Sequence, residues 1–75
     1  MEMLSLNRQS VQSSNLRSVG YDPITKILEI EFHSGGIYQY TNVSESIHSA
    51  LINAPSKGKY FARYIKDRFS TRKIR

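Results

Sequence analysis

The residues best suited to binding chemistry form the run Ser56-Lys57-Gly58-Lys59. At the predicted start of a helix this run describes an anion site, because a helix N-terminus leaves backbone N–H groups unpaired and carries partial positive charge. Glycine would let a ligand approach closely. The structural alternative is that Ser56 is an N-cap and that Gly58 lets two helices pack together. Both interpretations fit, although the run lacks the long glycine-rich lead of a Walker A loop.

A row of cations follows on the same predicted helix. On a helical wheel, Lys59, Arg63 and Lys66 fall within about 60° of one another, and Tyr60 or Tyr64 lies at the margin as a stacking partner. Such a row can follow a phosphate backbone, and the alternative is an ordinary solvated helix face. The sequence carries no recognisable base-reading element, so base-specific readout is not predicted. The row continues into Arg72, Lys73 and Arg75.

The net charge of +5 is unevenly distributed along the chain. Residues 1–54 hold three cations against five carboxylates, which gives −2, whereas residues 55–75 hold eight cations against one aspartate, which gives +7. Charge of that density attracts polyanions through counterion release and steers their approach. The pattern favours nucleic acid or another anionic partner over a neutral one.

Catalytic and metal-binding patterns are absent from the sequence. His33 and His48 are its two histidines and stand alone, and there is no cysteine to serve as nucleophile, zinc ligand or disulfide partner. We therefore expect a protein that is not an enzyme and that uses no cofactor and no metal. At 75 residues the chain has room for one small domain. With no signal peptide and no apolar run of about 18 residues, we expect a cytoplasmic protein without a membrane span.

The apolar pattern predicts three strands. Residues 1–14 are rich in Ser, Gln and Asn and show no period, which predicts a poorly ordered N-terminal segment. Residues 16–21 have β character, residues 26–33 alternate apolar and polar side chains, and residues 37–41 resume that alternation. This order is typical of a three-stranded antiparallel meander.

The register of the second hairpin can also be predicted. A three-residue loop of Ser34, Gly35 and Gly36 would place Ile30 opposite Tyr40 and collect the large apolar groups on one face. In the first strand, Leu16 is out of phase with that face. A bulge near Arg17 would restore it.

Two helices follow the strands. Asn42 with Glu45 three residues later resembles a capping box, which predicts the start of the first helix, and Pro55 ends it. Ser56 then caps a second helix that runs to about Phe69. The prediction is an α+β domain over residues 15–70, with the order β-β-β-α-α and both helices on one face of the sheet, followed by a basic tail over residues 71–75. The apolar stripe of the first helix is Val43, Ile47, Ala50, Leu51 and Ala54.

Tyr38 and Tyr40 lie on one face of the third predicted strand and could form a stacking platform for bases. They share a face with the apolar residues that the helices must cover, so the interpretation as core tyrosines with hydroxyls near the rim is favoured. The opposite face carries Glu29 and Glu31, whose charges repel phosphate. A base platform is not expected there.

Several of these runs together resemble the KTSC domain, a family found at the C-terminus of some lysyl-tRNA synthetases and as short bacterial proteins. The runs are Val19-Gly20-Tyr21-Asp22, Leu28-Glu29-Ile30-Glu31-Phe32, Tyr38-Gln39-Tyr40 and Ala54-Pro55-Ser56-Lys57-Gly58-Lys59-Tyr60-Phe61. The resemblance covers residues 15 to about 74. It implies a stand-alone bacterial member, and the synthetase context implies a relation to RNA.

The leading hypothesis from the sequence is a small binding module for RNA, such as tRNA-like or other structured RNA, contacted through phosphates by the basic helix and tail. The alternative is a protein-interaction or self-association module, including a homodimer, that docks through Tyr60, Tyr64 and Ile52. Peripheral binding to anionic lipid is a third option. The residues expected in the nucleic-acid or anion site are Ser56, Lys57, Gly58, Lys59, Tyr60, Arg63, Lys66, Arg72 and Lys73.

Overall fold

A computed structural model describes residues 6–75 of the chain, and residues 1–5 lie outside the described part. One antiparallel sheet contains five strands in the order β1-β2-β3-β4-β5. Two helices lie between the fourth and fifth strands in sequence. The elements are β1 Gln9–Ser10, β2 Leu16–Asp22, β3 Ile27–Phe32, β4 Ile37–Tyr40, α1 Glu45–Asn53, α2 Lys57–Tyr64 and β5 Thr71–Lys73.

The α+β class is confirmed, but the predicted number of strands, three, was too low. The two additional strands are short and form the edges of the sheet: β1 pairs with β2, and β5 pairs with β4. Both lie in segments that the sequence analysis assigned to an N-terminal lead-in and a C-terminal tail. Polar strands of two and three residues show no apolar alternation, so their pairing depends on the neighbouring strand. Within residues 6–75, no helix is long and apolar enough to cross a bilayer.

The predicted bulge is present, because the register of β2 against β3 shifts between Leu16 and Ser18 and turns Leu16 into the core. The predicted register of the second hairpin was wrong by two residues, since Ile30 pairs with Tyr38 rather than with Tyr40. Gly35 has a φ of 106°, and three-residue loops place such a residue last. The loop therefore starts one residue earlier than predicted. A shift of two residues keeps the same side chains on the same face.

Both helices begin with a serine cap. Ser44, rather than the predicted Asn42, caps α1, with its Oγ accepting from the Ile47 N–H. Asn42 has a positive φ of 66° and lies before the helix. α2 begins after Ser56 as predicted but ends at Tyr64, and the chain then turns through Asp67 at a φ of 62°. The second helix is thus shorter than the sequence analysis predicted.

The apolar core lies between the sheet and the two helices. The buried residues of β2, β3 and β4 on this face meet Leu51 of α1 and Phe61 of α2. Aromatic and aliphatic residues that are half-buried surround this cluster. The fully packed centre consists of Leu16, Val19, Leu28, Ile30, Tyr40, Val43, Leu51, Phe61 and Ile65.

The other face of the sheet carries a buried ionic cluster. Glu29 is 0% exposed, and its carboxylate forms an ion pair with Arg8. The Gln39 Nε2 and the Leu6 backbone N–H donate to Glu29 Oε1 at 2.8 and 3.1 Å. The Arg8 Nε donates to Ser18 Oγ at 2.9 Å. The N-terminal segment therefore covers this face and supplies the counter-charge for its central carboxylate.

A glycine in β2 lets the N-terminal segment lie this close. A Cβ added at Gly20 would come within 2.5 Å of the Asn7 carbonyl oxygen, which is closer than real Cβ atoms approach. The sequence therefore needs Gly20 for the close approach of backbone to backbone.

Breaking the ion pair should be costly. We expect Arg8→Met to lower the free energy of unfolding by about 3–5 kcal/mol, because it leaves the Glu29 carboxylate buried without a counter-charge. The double variant Arg8→Met/Glu29→Gln should recover part of this loss, since a neutral amide needs no cation. Urea denaturation measures both. The matched control is Arg17→Met at an exposed position of β2, and equal losses in the Arg8 and Arg17 variants would contradict this account.

His48 on α1 should give the fold a pH dependence. Its ring stacks on that of Tyr21 with centroids 4.6 Å apart, and burial lowers the pKa of His48 below its ordinary 6.5, while Glu45 partly opposes this. The unfolded chain then binds a proton more readily than the folded one. The stabilising effect of neutral His48 is fully present above pH 6.5 and is lost as the pH falls through the lowered pKa.

Thermal melts at about pH 7.5 and about pH 5.5 test this dependence. The Tm of wild type should fall more from the higher to the lower pH than the Tm of His48→Phe, because phenylalanine keeps an aromatic ring but cannot titrate. The same loss in both proteins would show that His48 does not couple to folding.

Candidate nucleic-acid interface

One aromatic anchor positions α2 on the sheet. Phe61 is the buried residue of this helix and meets Phe32 and Tyr40 edge-on, with ring centroids 5.3 and 5.6 Å apart. Because Phe61 faces the sheet, the opposite side of the helix faces solvent. Lys59 and Arg63 are exposed on that side, four residues apart and hence neighbours on the helix surface.

The predicted anion run adopts its structural role. The Lys59 N–H donates to Ser56 Oγ at 3.3 Å, which makes Ser56 the N-cap. The Lys57 Nζ donates back to the Ala54 carbonyl at 3.4 Å. A Cβ at Gly58 would lie 3.5 Å from Asn15 Cβ, so this glycine faces the loop before β2 at ordinary contact distance. Anion binding by this run stays a prediction.

The chain after α2 returns to the sheet and separates the predicted row of cations. Lys73 pairs with Tyr38 and lies on the helix side of the sheet, with its Nζ 6.0 Å from the Tyr38 ring centroid. Arg72 pairs with Gln39 and therefore belongs to the opposite face. Ile37 and Arg75 exchange backbone hydrogen bonds, so this end of the chain is tied to β4. The prediction of one continuous row was wrong at Arg72, because successive strand residues alternate faces.

Several cations are exposed on the helix side of the molecule, and we call four of them the basic surface. They lie on α2, on the turn that follows it and on β5. Within residues 6–75, none of the four forms an ion pair with a carboxylate. Their charges are therefore available to an anionic partner. The four residues are Lys59, Arg63, Lys66 and Lys73.

A cleft opens where α2, its following turn and the edge of the sheet meet. Its volume is about 480 Å³, and four aromatic side chains contribute to its wall. Lys66 and Asp67 also line it, so both a cation and a carboxylate face the space. We call this space the aromatic cleft. Its lining is Asn15, Phe32, Ser34, Tyr38, Tyr40, Phe61, Ala62, Lys66, Asp67 and Thr71.

The two motif tyrosines differ in their environments. Tyr40 is 4% exposed, and burial raises its pKa to about 12, with smaller effects from Tyr38 and Asp67. Its hydroxyl therefore stays protonated at neutral pH. Tyr38 is half-buried and meets Phe32 edge-on at 5.7 Å. Tyr40 belongs to the core, whereas Tyr38 lies between the core and the cleft.

The cleft was not predicted from the sequence. The missing information was the return of the chain as β5, which brings Thr71 to the cleft wall and Lys73 to the Tyr38 ring. No local pattern in the sequence indicates this return, because the end of α2 at Tyr64 is seen only in the structure.

The tyrosines of α2 lie beside the basic surface. Tyr64 is 48% exposed, and the Arg63 guanidinium carbon lies 5.5 Å from its ring centroid. Tyr60 is half-buried and its ring lies 4.7 Å from that of Tyr64. Ile52, on α1, is half-buried and packs against the core. The exposed apolar surface on the helices is thus smaller than the alternative of a docking module assumed.

The histidines occupy separate places. His33 is exposed in the hairpin loop, where its Nε2 lies 2.9 Å from the Ser13 carbonyl oxygen, and His48 stacks on Tyr21. Among residues 6–75, no three His, Asp or Glu side chains are grouped closely enough to hold a metal ion.

Comparison with known proteins gives the same fold and family. The KTSC domain model matches residues 12–69. A crystal structure of a KTSC domain protein from Yersinia pestis is 45% identical, covers 95% of this chain and 100% of that chain, and superposes with a TM-score of 0.91. An uncharacterized protein of Stutzerimonas stutzeri (strain A1501) is 46% identical over 61 residues, which is 81% of this chain and 86% of that protein.

A longer relative places the same segment in a larger protein. The lysine–tRNA ligase of Nostoc sp. (strain PCC 7120) is 43% identical over 58 residues, which is 77% of this chain but 10% of the ligase. The match thus concerns one small segment of that enzyme. Together with the family model and the superposed structure, it shows that this chain belongs to the KTSC domain family.

Proposed function

We propose that this domain is a non-catalytic module that binds RNA through phosphate contacts made by the basic surface, Lys59, Arg63, Lys66 and Lys73. The observation that carries the proposal is the segregation of charge, with +7 in residues 55–75 and −2 in the rest of the chain. A phosphate backbone is a partner that matches exposed cations that form no ion pair within residues 6–75.

The acidic part of the chain does not oppose this partner. Glu29 is buried on the far face of the sheet and is paired with Arg8, and Glu31 on the same face accepts from Ser18 Oγ at 2.9 Å. These carboxylates are thus turned away from α2. These two carboxylates therefore do not repel a polyanion that approaches α2.

The relation to lysine–tRNA ligases supports RNA as the polyanion. A segment of these ligases shares 40–43% identity with this chain. Their names state an action on tRNA, and we propose that this domain also contacts RNA. The predicted anion run adds Lys57 and the Ser56 end of α2 at the margin of the same surface, with Gly58 and Tyr60 beside them.

Self-association is the second candidate, and the exposed Tyr64 favours it. Sedimentation of the pure protein distinguishes the two functions. A dimer that persists in Tyr64→Ser would remove Tyr64 as its cause, and a monomer that binds RNA would leave only the first proposal.

Charge reversal tests RNA binding directly. Binding to a mixed RNA pool should weaken steeply as salt rises, and Lys59→Glu/Arg63→Glu should weaken it at least about tenfold and flatten the salt dependence by about one unit of slope per lost contact. The matched control is Arg17→Glu/Lys26→Glu, which changes the net charge equally at exposed positions away from α2. The proposal fails if no binding is detected at low salt, or if both double variants lose the same affinity.

A further inference from the structure

The aromatic cleft has features that phosphate binding does not use. A phosphate backbone needs exposed cations, whereas this cleft of about 480 Å³ is walled by Phe32, Tyr38, Tyr40 and Phe61. Its size lies within the range of about 300–1,000 Å³ that is typical of ligand sites. A space with four aromatic rings in its wall that opens beside exposed cations suits a ligand that has both a flat ring and a negative charge.

One cation lines the cleft, and a second lies beside one of the aromatic rings of its wall. Lys66 contributes to its wall from the turn after α2. Lys73 approaches from β5, with its Nζ 6.0 Å from the ring of Tyr38. The row on α2 also reaches this place, because Ala62 on the cleft wall is a helix neighbour of Lys59. A strand that follows the basic surface therefore passes over the opening of the cleft.

Asp67 restricts which type of base suits the cleft. It is the carboxylate among the lining residues, and its charge reaches far enough into the cleft to contribute to the raised pKa of Tyr40. A carboxylate repels phosphate but accepts hydrogen bonds from N–H groups. Guanine presents two adjacent N–H donors on one edge, which match the two oxygens of a carboxylate.

We propose that the aromatic cleft takes one unpaired base of a bound RNA strand, with guanine favoured, while Lys66 and Lys73 hold the phosphates that flank it. This inference rests on the proposed function, since the strand is brought to the cleft by the basic surface. Aromatic side chains contribute to such binding by stacking, and the carboxylate adds a preference among bases.

A variant that fills the cleft without changing charge tests the inference. Ala62 is an exposed position of α2 on the cleft wall, so Ala62→Leu should block entry of a base and leave the core intact. The matched control is Ser49→Leu, which adds a leucine at an exposed position of α1 that does not line the cleft. The ligands are a fluorescent single-stranded RNA octamer that contains guanine and the same sequence as a fully paired duplex, both at low salt.

Ala62→Leu should weaken binding of the single strand at least about fivefold and leave binding of the duplex unchanged, because a paired base does not leave its stack. Ser49→Leu should bind both RNAs as wild type does. Replacing guanine by adenine in the single strand should weaken its binding to the wild-type protein. In the Asp67→Asn variant, the affinities for the guanine and adenine strands should differ less.

The possible failures separate the two proposals. If both RNAs bind but Ala62→Leu weakens neither, the inference is overturned and phosphate binding by the basic surface stands. If neither RNA binds, the proposed function fails. In that case GMP alone is added, and the NMR signals of the Tyr38 and Phe61 ring protons are followed. Shifts of these signals would identify a free nucleotide as the occupant and overturn the inference for RNA. Unchanged signals would overturn the inference for both RNA and free nucleotide.

Discussion

The edge-on packing of Phe61 against Phe32 and Tyr40 determines where the candidate binding residues of α2 lie. This contact fixes the rotation of α2 on the sheet, so that Lys59 and Arg63 point to solvent. The same three rings also contribute to the wall of the cleft. A short helix with one fully buried anchor depends on that anchor for its orientation, because isolated helices of this length are marginal in water.

A chain of 75 residues must bury both faces of its sheet with little material. The two helices cover one face with an apolar core. The N-terminal segment covers the other through the Arg8–Glu29 ion pair and the close approach that Gly20 permits. The ionic cluster under the N-terminal segment keeps two glutamates on the face away from α2. The segregation of charge in the sequence therefore becomes a segregation in space, with the basic surface on the helix side.

The fold class and several local features could be predicted from the sequence because they depend on near neighbours. The bulge at Arg17 followed from the phase of Leu16, and Ser56 was recognised as a cap from its position after Pro55. The hairpin register was missed because two consecutive glycines allow two loop placements, and only the positive φ of Gly35 distinguishes them. The pairing of Arg8 with Glu29 and of β5 with β4 joins residues far apart in sequence, and no local period indicates such contacts. The division of the cations at Arg72, and with it the cleft, depended on that second pairing.

The central claim is that one surface, formed by α2, the turn after it and β5, receives RNA. Mapping backbone amide and aromatic ring shifts of the labelled domain during titration with single-stranded RNA tests it most directly. The account predicts shifts at residues 59–73 and at the rings of Tyr38 and Phe61, with α1 and the face that carries Glu29 unchanged. Shifts centred on α1 or on the Arg8–Glu29 face, or no shifts at low salt, would contradict it.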